Sequence, residues 1–185
     1  METVRPWLFD MHRMYDNLLP CYVLTNRRNI MGGEIKWEPD LETGIKIIDR
    51  QHKEFFKLVN ALLNNSMGSK NKDFVLKAFN FLNFYIIEHF GMEESLMTEN
   101  KYTSLREHMG LHRYFRIELE KLEAQLKGNH FDEVTIRLNY LMVNWFVNHI
   151  KVQDKKLAKF LQEEMKINKS LSGRIASLMK KFFGK

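Results

Sequence analysis

Seven polar residues in this chain stand at spacings that suit the ligation of metal ions. His89 and Glu93 are four residues apart, as are His108 and His112, and residues at i and i+4 of an α-helix lie above one another on one face. Each pair can grip one ion. His52 falls in the middle of an apolar stripe made by Ile48, Phe55, Phe56, Val59, Leu62 and Leu63, and His149 in another made by Val134, Leu138, Leu141, Met142, Trp145, Val152, Leu157 and Leu161. Any one of these histidines alone reads as a neutral core imidazole with a hydrogen-bond partner. Five of them on converging stripes would crowd imidazoles together with few acceptors, at about 1–3 kcal/mol for each unsatisfied group. Metal ions remove that conflict.

Asp154 fits least well on geometry. It follows His149 by five residues, about 140° around an ideal helix, so only a local widening such as a π-bulge, or a long reach from the flank, brings it inward. With it the set is five imidazoles and two carboxylates, too many for one ion and apt for two. Glu93 and Asp154 are the carboxylates in position to bridge. Imidazole suits iron, copper, zinc and nickel, and carboxylate bridges with mixed nitrogen and oxygen donors favour iron or manganese. A zinc hydrolase would read His-Glu-x-x-His, whereas here Glu107 precedes His108 and supplies no internal base.

The elements that must position these residues follow from the same periodicity. Apolar residues recurring at three and four predict helices after Gly44, with a stripe from Ile48 to Leu63, from about Lys72 to about Glu99, from Leu105 to Leu126 and from about Phe131 to Glu164. Asn64 to Asn71, with Gly68, reads as a loop, Asn100 to Ser104 as a short connection, and Lys127-Gly128-Asn129 as a helix stop. Four helices with one apolar stripe each and short loops predict an all-α fold, an antiparallel up-down-up-down four-helix bundle. Glu34 to Gly44, with Trp37 and Pro39, reads as a non-helical arm leading into it. Gly91, between His89 and Glu93, costs roughly 1 kcal/mol of helix propensity, which predicts the close approach of another element there.

The domain reading is an N-terminal extension at 1–33, whose scattered aromatics carry no sustained period, a bundle at 34–164 and a basic amphipathic tail at 165–185. The net charge of +6 resides in that tail: it holds six bases and no acid, and the preceding 164 residues carry as many bases as acids. A neutral body without a recognition motif argues against nucleic acid as a partner. Leu171, Ile175, Leu178, Met179, Phe182 and Phe183 recur at helical spacing in the tail, and two readings stay open: packing on the bundle, or docking to a membrane surface or a protein partner. The single Cys21 allows no internal disulfide and points to a reducing compartment. With no run of about 18 apolar residues and no secretory leader pattern, the expectation is a soluble cytoplasmic protein, monomeric or of low oligomeric order.

Taken together, Trp37 ahead of Gly44-Ile45, Ile48-Asp49-x-Gln51-His52-Lys53, His89-Phe90-x-x-Glu93-Glu94, His108-x-x-x-His112 and Trp145-x-x-x-His149-Ile150-x-x-x-Asp154 resemble the pattern of the bacterial hemerythrins over residues 37 to 161. The resemblance implies a non-haem diiron site, oxo- or hydroxo-bridged, that binds dioxygen reversibly. It assigns His108, His112 and His149 to one iron, His52 and His89 to the other, and Glu93 and Asp154 to the bridge, with an open position on the iron held by two histidines. The function implied is oxygen transport, storage or delivery by a binding protein rather than an enzyme. The alternatives are oxygen sensing, or reduction of peroxide or nitric oxide at the same site. Imidazoles outnumber carboxylates five to two, a less anionic set than the four glutamates and two histidines of ferritin-like diiron oxidases, and that favours releasing dioxygen unchanged. Phe55, Phe56, Phe115, Trp145 and Phe146 are the apolar surroundings expected to exclude water, and the last four are the candidate lining of a dioxygen pocket, against the competing reading of ordinary core. Phe146 stands where the family commonly has leucine.

Overall fold

The computed structural model describes residues 35–66, 72–126 and 131–183. The N-terminal extension, most of the loop after the first helix, the Lys127-Gly128-Asn129 stop and the side chains of Leu62, Leu63, Phe182 and Phe183 lie outside the described residues. Among the described residues the secondary structure is helical, with no strand. The arm is non-helical apart from one 3-10 turn at Pro39–Leu41. α1 is Lys46–Ser66, so the first residues read as loop still belong to the helix. α2 spans 72–99, α3 is Leu105–Leu126, α4 spans 131–167 and α5 is Lys169–Phe183. No helix among the described residues is long and apolar enough to cross a membrane.

Two of these helices are not uniform. α2 carries a π turn at Ile86–Phe90, and α4 carries two, at Leu141–Trp145 and Ile150–Asp154. In a π turn the backbone bonds i to i+5, so the helix widens and residues five apart come to share a face. The outcome at the end of α4 differs from a reading based on a 3.6-residue period. Val152, expected inward, is 50% exposed, while Gln153 and Asp154 are buried.

The start of α1 is fixed by Asp49, whose carboxylate accepts hydrogen bonds from Thr43 N (2.7 Å), Thr43 Oγ1 (2.7 Å) and Gly44 N (3.1 Å). Gly44 has φ +79, a backbone conformation that favours glycine, and a Cβ built there would stand 2.6 Å from Gln162 Nε2 and displace that side chain. The arm is clasped at its outer end by Asn60, which accepts from Ile35 N at 2.7 Å and donates to Ile35 O at 2.9 Å. It is joined to α4 by Lys155 Nζ donating to Asp40 O (2.7 Å), by the Lys151–Asp40 ion pair (2.8 Å) and by Gln162 Nε2 donating to Thr43 O (3.0 Å). Gly91 corrects an expectation: it is exposed, and a Cβ there would meet nothing within 4 Å.

Buried apolar residues form two clusters. The larger includes Phe55, Phe56, Phe79, Leu82, Tyr85, Phe90, Phe115, Leu119, Leu138, Met142, Trp145 and Phe146. The smaller joins Ile45, Ile47, Ile48, Met92, Leu96, Met97, Leu157, Ala158 and Leu161 to Leu171 and Ile175 of α5. Leu171 and Ile175 of the tail are therefore buried against the bundle and Leu178 and Met179 pack beside them, while Ile167 is exposed, and Arg174 reinforces the contact by pairing with Glu99 and donating to Ser95 Oγ at 3.2 Å.

Candidate metal centre

The seven residues singled out by type and spacing come together in a polar layer between the two apolar clusters. His52 follows Ile48 of the smaller cluster and precedes Phe55 of the larger; Glu93 lies between Phe90 and Leu96; His149 and Asp154 lie between Phe146 and Leu157. All seven are buried. Their donor atoms divide into two sets, Glu93, His108, His112, His149 and Asp154 in one and His52, His89, Glu93 and Asp154 in the other, with the atoms of each set within 4.8 Å of one another. Glu93 and Asp154 belong to both. The π turn at Ile150–Asp154 is the local cause of Asp154's position, because five-residue spacing inside it keeps Asp154 on the face of His149.

The chemistry of this donor set fits metal ions. Nε2 of His149 stands 3.0 Å from Nε2 of His108 and 3.1 Å from Nε2 of His112, and Nε2 of His52 stands 3.2 Å from Nε2 of His89. One N–H cannot serve several converging nitrogens. Asp154 Oδ2 is 3.1 Å from His52 Nε2, and Oδ1 is 3.2 Å from His108 Nε2 and 3.1 Å from His149 Nε2. Near as these atoms are, neither carboxylate has a directed hydrogen bond: all four oxygens of Glu93 and Asp154 are buried without a hydrogen-bond partner among the described residues. Buried carboxylates and imidazoles that face one another this way are stabilised by cations among them.

Protonation follows from the same crowding. Burial, and then the neighbouring His52, holds His89 well below the usual histidine range; burial and His149 do the same for His112, and burial lowers His149. Neutral imidazole is the form that binds metal. Burial also opposes the protonated form of His108, but the Asp154 and Glu93 carboxylates close beside its Nε2 outweigh it and push that group up to about 9. Burial and the Asp154 charge push Glu93 up to about 7. Asp154 is held well below the ordinary carboxylate value, the imidazoles of His149, His108 and His52 overcoming its burial.

Two residues orient histidines of the cluster from outside. Gln51 Oε1 accepts from His89 Nδ1 at 3.0 Å, and Glu94 Oε1 accepts from His112 Nδ1 at 2.9 Å while also accepting from Arg116 at 2.9 Å. With Nδ1–H engaged, each ring presents the Nε2 lone pair to the centre. Aromatic rings fix the planes: Phe90 stacks on His112 at 3.8 Å and 3°, and Trp145 on His149 at 4.5 Å and 13°. The four aromatics expected around a dioxygen pocket separate. Trp145, with Phe115 behind it at 4.6 Å, backs the three-histidine side. Phe146 stands edge-on to His52 at 5.7 Å and 6.2 Å from His89, and Phe56 reaches that side through Trp37, 5.3 Å away. Trp37 and Tyr85, not named as site residues from sequence, also border the two-histidine side, at 6.3 Å from His52 and 4.9 Å from His89.

Comparison with known proteins gives this geometry its family. The Hemerythrin HHE cation binding domain matches residues 43–161. The chain belongs to the hemerythrin family. It is 30% identical to the bacteriohemerythrin of Pseudomonas paraeruginosa over 151 residues, which cover 80% of this chain and 97% of that protein. It is 27% identical to the bacteriohemerythrin of Stenotrophomonas maltophilia over 80% of this chain and 97% of that one, and 25% identical to the myohemerythrin of Riftia pachyptila over 65% and 88%. Hemerythrins bind a diiron centre, and the buried histidine and carboxylate cluster suits one. Family membership thus gives a diiron, oxygen-binding protein with an all-α bundle fold.

Proposed function

We propose that this hemerythrin binds dioxygen reversibly, for storage, transport or delivery, with His108, His112 and His149 holding one iron, His52 and His89 the other, and Glu93 and Asp154 bridging the pair. The observation that carries the reading is the division of the donor atoms into two sets sharing both carboxylates, one with three imidazoles and the other with two. When bound, the two ferrous ions supply the electrons that dioxygen accepts and returns.

The chain's own residues govern the rest. Gln51 and Glu94 aim the His89 and His112 rings, and Phe90 and Trp145 hold ring planes by stacking. Phe55 and Phe146, stacked at 3.6 Å, together with Trp37 and Phe56, shield the two-histidine side from water. Excluding water there slows loss of the bound ligand and irreversible oxidation of the irons. Five neutral donors against two carboxylates make the set poorly anionic, which works against the high-valent iron that substrate oxidation needs.

The test is an anaerobic ferrous titration followed by dioxygen and then argon, with optical spectra throughout. Two irons per chain and a visible absorption that appears with dioxygen and fades under argon are expected. Two irons that oxidise once and stay ferric would overturn reversible binding and favour a diiron reductase acting on peroxide or nitric oxide.

A further inference from the structure

One polar group beside the histidine and carboxylate cluster has no hydrogen-bond partner among the described residues. Tyr85 lies one turn ahead of His89, where it continues the stripe of His89 and Glu93. Its ring packs 4.9 Å from that of His89, 5.1 Å from Phe55 and 5.7 Å from Phe146. The side chain is buried, yet its hydroxyl has no hydrogen-bond partner among the described residues. Phenylalanine would fill the same space without burying an unsatisfied donor. Gln51, the buried amide bonded to the neighbouring His89, already has its oxygen engaged there.

The neighbours of Tyr85 place it on one side of the centre. His89 belongs to the two-histidine donor set, and Phe146 stands against both His52 and His89. That is the side left with fewer protein nitrogens. We propose that Tyr85 is a ligand-positioning residue whose O–H donates a hydrogen bond to a small ligand taken up on the His52/His89 side. The inference rests on the diiron reading above and adds a selectivity to it. A buried donor favours ligands that carry or gain negative charge over neutral apolar ones. Packing residues such as Phe55 and Phe146 offer no such discrimination.

Azide is a suitable probe, being small and anionic. With the full-length, iron-loaded ferric protein, Tyr85→Phe is expected to bind azide about tenfold more weakly than wild type, with two irons per chain retained and the azide-to-iron absorption shifted. Tyr102→Phe, which removes a buried tyrosine hydroxyl in the smaller apolar cluster instead, is expected to leave azide affinity unchanged. In the metal-free full chain, Tyr85→Phe is expected to melt at or above the wild-type temperature, because the hydroxyl it removes has no protein partner. Equal azide affinity in wild type and Tyr85→Phe would overturn the proposal while leaving the diiron reading intact. A metal-free Tyr85→Phe chain that melts lower would show the hydroxyl bonded within the protein and overturn it as well. Wild type that binds two irons but no azide would overturn the ligand reading and this proposal together.

Discussion

His112 shows how closely the cluster depends on residues that are not in it. Its Nδ1–H is held by Glu94, which Arg116 holds in turn, and the charge on that carboxylate makes the imidazole a stronger donor. Glu94→Gln keeps an acceptor but removes the charge. It is expected to lower iron affinity on the three-histidine side about tenfold, read by competition with a ferrous chelator, with an unchanged far-ultraviolet circular dichroism spectrum. Six of the cluster residues could be read from the sequence because each falls on an apolar stripe at a helical interval, and Asp154, five residues from His149, could be placed only by allowing a wider turn. Their supports could not. Gln51 is adjacent to His52 but serves His89 on α2, and Glu94 is adjacent to Glu93 but serves His112 on α3. Neighbours in sequence are partners of different ligands, and only the packing of helices shows which.

At the level of the helix, periodicity predicted the extents of α2 and α3 well, because the residues of their buried stripes, the histidines and Glu93 included, recur at three and four. It failed where the backbone leaves the 3.6-residue period. The π turn at Ile150–Asp154 turned Val152 outward and brought Gln153 and Asp154 inward, and the sequence carries no propensity signal for such a turn beyond the five-residue spacing itself. Gly91 is a second case, since a glycine in a helix suggests a close neighbour and here there is none. With φ −61 and open space around it, the residue carries only the entropic penalty of glycine. Gly91→Ala should therefore stabilise the protein by about 0.5–1 kcal/mol, seen as a higher midpoint in urea with an unchanged slope, and leave iron content at its wild-type value.

Across the whole molecule, two apolar clusters enclose a polar layer, and the tail helix completes one of them. Leu171 and Ile175 are buried against Ile45, Ile47, Met92, Leu96, Leu157 and Leu161. Ending the chain after Asn168 would uncover that cluster beneath the ligand-bearing segments of α2 and α4. Full burial of two such side chains is worth roughly 3–6 kcal/mol before the entropy of ordering α5 is subtracted, so a net loss of about 2–4 kcal/mol is expected, measured by thermal melting of the truncated and full-length chains. The contacts from Asp40 to Lys151 and Lys155 and from Thr43 to Gln162 close the chain across more than a hundred residues. Synthesis proceeds at about 5–20 residues per second, so His52 leaves the ribosome on the order of 5–20 seconds before Asp154. During that interval the early histidines lack the second of the two carboxylates that both donor sets share. The full donor set exists only once Asp154 of α4 has been made, so an ion held by all of its donors is bound after that point of synthesis.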